Sequence, residues 1–317
     1  MNYSISRIAF IGAVFASQVY GASFAYSSCL SELRRNEITE RLSHLEQQLP
    51  YSKKRSYQIY YPEGFKEGEE RNVVVYMPGF ASGADAYTKK KADTLSVQEK
   101  ISKIYKEKGL KEPVVVSFSM GAQILAGVDG HGDNHPTFLP TKDYWQALEE
   151  VLADLPVKRT RLSFFANSAG AWNTFQMLRS IPDGVEVSSA VLIAMPNFTT
   201  GGLGKNPALL GDGTNVDPHG TALRSQLEPM INSLLKDPLI DSLLPNSALY
   251  DSSLPRNTRI LIQGADSDAL GYSALNENFV SNAREQGYPI EMLSVPGGHA
   301  DGIDNEATVR FLERVNP

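Results

Sequence analysis

One cysteine, Cys29, is too few for a disulfide within the chain, so no covalent cross-link supports this fold. Basic side chains are outnumbered, 30 Lys and Arg against 36 Asp and Glu, for a net charge of −6. Neutralising a row of phosphates takes a basic stripe, and the chain has none, which argues against nucleic acid as a partner. No internal run approaches the roughly 20 apolar residues of a spanning helix, so no stable membrane span is expected in the mature chain. Internal repeats and low-complexity tracts are missing too, which removes solenoids and propellers.

What is there is ordinary globular composition. The 317 residues are 42% hydrophobic and 21% charged, enough for one large core or two small ones. The N-terminus stands apart. Arg7 precedes the apolar run Ile8 to Ala16, and small residues follow, with Ser23 and Ala25 spaced for cleavage after Ala25, or Val19 and Gly21 for an earlier cut. Residues 1–25 therefore read as a secretory signal peptide and predict a secreted or periplasmic protein. Cys29 lies just beyond, where a lipid anchor could attach, but Tyr26-Ser-Ser-Cys29 lacks the aliphatic residue such sites prefer.

Residues 26–54 read as an N-terminal helical segment, with Leu30, Leu33, Ile38, Leu42, Leu45 and Leu49 mostly on one face and Pro50 as the stop. Beyond them, residues 55–317 alternate strand and helix patterns. Strands are expected at 56–61, 72–77, 113–119, 162–166, 190–195, 259–263 and 290–295. The first two, joined by a charged turn near Lys66 to Glu70, suggest an edge hairpin. Helices are expected at 93–108, 142–154, 169–181, 272–286 and 305–315. Continuous apolar strands alternating with helices predict an α/β fold, a mainly parallel sheet covered on both faces. The segment 197–258 interrupts the alternation with a Gly/Asn/Asp/Pro-rich stretch and then a Leu-rich one. An excursion of that size between strands reads as a cap or lid over a site.

Four pieces carry chemistry, each just past the end of a strand, where open parallel sheets place their ligands. Met77-Pro78-Gly79-Phe80-Ala81-Ser82-Gly83 is a turn able to aim backbone N–H groups at an oxyanion. Ala166-Asn167-Ser168-Ala169-Gly170 joins an apolar strand to a helix, the context that exposes a serine hydroxyl on a sharp turn. Gly264-Ala265-Asp266-Ser267-Asp268 offers two carboxylates, and Val295-Pro296-Gly297-Gly298-His299 offers a histidine. Ser119, in Ser117-Phe118-Ser119-Met120-Gly121, is a rival nucleophile, but turn-rich Gly127 to Pro136 follows it where a helix would be needed. Asp129, His131, Asp133 and His135 alternate as metal ligands sometimes do, and Asp212, Asn215 and Asp217 weakly suggest calcium. Neither set has the spacing of a standard site, and no metal is expected.

The order Ser, Asp, His, with 100 residues from Ser168 to Asp268 and 31 from Asp268 to His299, resembles that of the α/β-hydrolase superfamily over residues 55–317. Within it, Lys106-Glu-Lys-Gly-Leu-Lys-Glu-Pro113-Val-Val-Val and Ser168-Ala-Gly-Ala-Trp172 are similar to the esterase D, feruloyl esterase and polyhydroxybutyrate depolymerase group. Two positions depart from the usual pattern: Pro78, where many members carry histidine, and Ala166, where the first elbow glycine stands. The resemblance implies a serine hydrolase acting on a small-molecule or polymeric ester without a cofactor. Ser168 would be the nucleophile, His299 the base, Asp268 the acid with Asp266 as the alternative, and the N–H groups of Phe80 and Ala169 the oxyanion hole. A peptidase or amidase of the same fold, or an inactive binding protein built on it, fits the same residues.

Overall fold

The computed structural model describes residues 57–79, 82–90, 94–120, 142–199, 202–203, 245–250, 252–299 and 302–313. The signal-peptide reading, the 26–54 helix, the 129–135 loop and most of the 197–258 excursion lie outside them. Among the described residues, no helix is long and apolar enough to cross a membrane.

Seven strands form one sheet: β1 (Tyr57–Tyr60), β2 (Glu70–Met77), β3 (Val114–Phe118), β4 (Lys158–Asn167), β5 (Ser189–Ile193), β8 (Arg259–Ala265) and β9 (Ile290–Val295). Their spatial order is β1-β3-β2-β4-β5-β8-β9. All neighbours are parallel except β1, which runs antiparallel to β3. Two two-residue strands, β6 (Phe198–Thr199) and β7 (Gly202–Leu203), pair with each other at the start of the excursion.

The helices are α1 (Val97–Glu107), α2 (Lys142–Asp154), α3 (Ala169–Leu178), α4 (Pro245–Tyr250), α5 (Tyr272–Glu285) and α6 (Asn305–Glu313). They cover both faces because the strands are apolar on both. In β2, Val73, Val75 and Met77 join one buried cluster with α2, α3 and α5 residues. Val74 and Tyr76 point the other way, into a second cluster with Ile101 and Tyr105 of α1 and Val309, Phe311 and Leu312 of α6. The period of two along the strand thus feeds two cores at once. Helix α1 begins at Val97, inside the expected 93–108, where a capping box starts it: the Glu99 N–H donates to Ser96 Oγ at 3.2 Å, and the Ser96 N–H donates back to Glu99 Oε2 at 2.9 Å.

One expectation fails. β1 and β2 are not a hairpin; β3 lies between them, pairing Tyr57 with Phe118 on one side and Val73 with Val114 on the other. β3 is buried along its whole length and needs partners on both edges, whereas half-exposed β1 is suited to the sheet's rim. Sequence adjacency predicts pairing only when nothing more apolar competes for the slot.

Candidate active site

A single residue reverses the chain between β4 and α3. β4 ends at Asn167, α3 begins at Ala169, and Ser168 makes the turn at φ 50°, ψ −120°. Non-glycine residues rarely adopt such a conformation, which costs on the order of 1–3 kcal/mol. Two bonds hold it. The Ser168 N–H donates to the Ile193 carbonyl at 2.8 Å, and the Trp172 N–H donates to the Ser168 carbonyl at 3.1 Å. Ala194, at the end of neighbouring β5, also has positive φ, 46°.

Gly170 shows why the elbow needs small residues. A Cβ added there would lie 2.2 Å from the Met77 carbonyl oxygen and 2.3 Å from that of Pro78. The first turn of α3 is therefore wedged against the end of β2. The same approach brings Gly79 over the serine, where an added Cβ would sit 3.6 Å from Ser168 Cβ. Phe80, the other expected oxyanion donor, lies outside the described residues. Ala169, the first residue of α3, is buried at the turn. Its N–H is one of those that an α-helix leaves without an intrahelical acceptor.

The three sequence-derived side chains meet. Ser168 Oγ lies 3.0 Å from His299 Nε2, and His299 Nδ1 lies 3.1 Å from Asp268 Oδ2. A carboxylate only accepts, so Nδ1 carries the hydrogen and donates, leaving Nε2 to accept from the serine hydroxyl. The other carboxylate oxygen, Oδ1, accepts the Leu270 N–H at 2.9 Å. His299 is 6% exposed and Asp268 2%, so the relay is shielded from water while Ser168 stays partly open. Asp266 does not reach the histidine. It is exposed, and its Oδ1 accepts from Ser267 Oγ at 2.9 Å and from the Gly297 N–H at 3.1 Å. Ser119 is buried at the end of β3, its carbonyl accepting the Tyr144 hydroxyl at 3.1 Å.

No protein-family model matches the sequence, and no curated protein matches it either. Solved structures do. A ferulic acid esterase superposes with a TM-score of 0.51 at 14% identity, over 80% of this chain and 87% of that one. The acylaminoacyl peptidase of Pyrococcus horikoshii gives 0.52 at 15%, over 81% of this chain, which spans only 37% of the peptidase. Homoserine O-acetyltransferase from Bacillus anthracis gives 0.50 at 16%, over 82% and 98%. This is an α/β-hydrolase fold.

Within the α/β-hydrolase frame, Ala166 is not a distortion. It is fully buried in β4, paired with Met77 and Leu192, and the ladder runs through it without a break. The extra methyl is a core atom. Restoring the glycine in Ala166→Gly removes buried carbon and adds unfolded-state freedom, a loss of about 1–2 kcal/mol. Urea unfolding reads it, and an increase in stability would contradict this placement.

Two contacts at the site escape sequence reading. Tyr272, 2% exposed, sets its ring edge-on to His299 at 5.8 Å. Gln263, fully buried at the end of β8, clasps the backbone of Asp304: its Oε1 accepts that N–H at 2.9 Å, and its Nε2 donates to that carbonyl at 3.0 Å. A glutamine within the apolar run of β8 was the available signal, because a buried polar side chain there must find partners.

Proposed function

We propose that this chain is a serine hydrolase that cleaves a carboxylic ester through an acyl-enzyme on Ser168. The observation that carries the reading is the unbroken line Ser168–His299–Asp268, at 3.0 and 3.1 Å, with the serine on a strained turn at the head of a helix. Ser168 Oγ attacks the ester carbonyl carbon while its proton passes to His299 Nε2. The carbonyl π electrons move to oxygen, and the N–H groups of Ala169 and Phe80 donate hydrogen bonds to the oxyanion. The intermediate collapses, the C–O bond to the alcohol breaks, and His299 returns the proton to the departing oxygen. Water then repeats the sequence: His299 takes one proton, the hydroxide adds to the acyl carbon, and the carboxylic acid leaves as Ser168 regains its hydrogen from His299. Asp268 holds the Nδ1–H tautomer throughout and offsets the imidazolium charge. On the reading of residues 1–25, this chemistry takes place after export.

Asp268→Asn tests the relay. An amide in place of the carboxylate presents a donor to Nδ1 and favours the wrong tautomer, so kcat on a p-nitrophenyl ester should fall roughly 10⁴-fold. A fall of less than tenfold would remove Asp268 from the assignment. Aminoacyl anilides assayed beside p-nitrophenyl acetate and longer acyl esters check the bond cleaved. Faster turnover of the anilides would replace the esterase reading with a peptidase one.

A further inference from the structure

His299 sits on a loop of the kind that should wander. Between β9 and α6 the chain reads Pro296-Gly-Gly-His299-Ala-Asp-Gly302, with three glycines within six residues. Gly297 has φ 125°, a conformation that side chains rarely adopt. Yet His299 must present Nε2 to the serine and Nδ1 to Asp268 at once. The loop's own tie, the Gly302 N–H donating to the Gly298 carbonyl at 3.0 Å, closes it behind His299, and something outside must fix it in front.

The acid-bearing turn does so. The Asp266 N–H donates to the Val295 carbonyl at 3.0 Å and the Ser267 N–H to the Gly297 carbonyl at 3.0 Å. The Gly297 N–H returns a bond to Asp266 Oδ1 at 3.1 Å. Ser267 Oγ donates to the same oxygen at 2.9 Å and fixes its direction. Further on, a Cβ on Gly302 would stand 2.4 Å from Ala265 Cβ, so the loop's far limb also lies against the end of β8. The first two bonds are main chain to main chain, and any residue but proline would supply them. The bond from the Gly297 N–H needs a side-chain acceptor at position 266.

We infer that Asp266 is a positioning residue: its carboxylate grips the Gly297 N–H and holds His299 in reach of both Ser168 and Asp268. This rests on the hydrolase reading above and assigns the second carboxylate of the turn a task of its own. The bond requires an acceptor and not a charge. Asparagine at 266 keeps Oδ1 and should keep the grip; alanine removes it and leaves the glycine-rich loop with main-chain ties only. Asp266 is exposed, so the freed N–H is taken up by water and the fold is little affected. The cost falls on alignment, where a displacement of about 1 Å can cost about 100-fold in rate.

The experiment compares wild type, D266A, D266N and D268N in two readouts. In steady-state hydrolysis of p-nitrophenyl acetate, D266A should lower kcat by about 10- to 100-fold with KM within about twofold, while D266N stays within about threefold of wild type. In proton NMR of the unliganded proteins, the low-field Nδ1–H resonance of His299 should be sharp in wild type and D266N, broadened by exchange in D266A and lost in D268N. The second readout needs no substrate, so it judges the positioning role even if the ester assay fails. A D266A enzyme with wild-type kcat and a sharp resonance overturns the inference. Equal losses in D266A and D266N overturn it as well, because they would make the charge, and not the acceptor, the working feature. Failure of the hydrolase reading looks different: D268N would then turn over esters as fast as wild type.

Discussion

Ser168→Ala should abolish covalent labelling by a fluorophosphonate and lower kcat by about 10⁵- to 10⁶-fold, the scale at which removing the nucleophile of a serine relay removes the whole relay. His299 and Asp268 have no function of their own once the oxygen is gone, so combining S168A with D268N should cost little more than S168A alone. Stability should hardly move. Alanine suffers the same strain at φ 50° as serine does, and the change takes away the hydroxyl's bond to a histidine that Asp268 still holds. Labelling of the variant at the wild-type rate would show that another residue is the nucleophile. Ser119 would then be the next to test, although its burial at the end of β3 leaves it poorly presented.

Gly170→Ala should be the most damaging single-methyl change in the elbow. The new carbon would meet the Met77 and Pro78 carbonyl oxygens at 2.2 and 2.3 Å and the Met77 carbonyl carbon at 2.5 Å. These are backbone atoms, and those of Met77 belong to a strand paired on both sides, so no rotamer change relieves the clash. Either α3 lifts off the sheet or the end of β2 is displaced. Helix α3 is buried along its length, and lifting it opens the core that contains Phe175 and Leu178. A loss above about 4 kcal/mol is expected, enough to unfold a marginal domain. Gly79→Ala is the control, because its nearest neighbours would be 3.6 and 3.8 Å away, at ordinary van der Waals distance. Urea midpoints of the two variants decide the matter, and similar midpoints would contradict the wedge.

Much of the fold was legible because its signals are local. Continuous apolar strands announced a sheet buried on both faces, and β9 spans the expected Ile290–Val295. The small-residue turn after Phe165 announced the elbow, since one-residue reversals tolerate little else nearby. What was hidden is non-local or directional. The place of β1 depends on competition from β3, far downstream, which no pattern within 57–77 contains. Asp266 and Asp268 share one turn, and spacing cannot tell which carboxylate turns inward, because that depends on a backbone path fixed by bonds to Val295 and Gly297. Tyr272 looks like any apolar helix residue until His299 arrives from the strand beyond.

The strand order has a consequence for timing. On the proposed reading the nucleophile follows β4, in the middle of the sheet, whereas acid and base follow β8 and β9, which come later in the chain and lie at one edge of the sheet. A nascent chain that has folded through β5 already has its serine on the elbow but nothing to draw the proton from it. Domains can begin folding during synthesis, and pairings distant in sequence close late. On that reading, reactivity arises only when β9 and the loop after it are in place, so a chain folded no further than β5 is a harmless one.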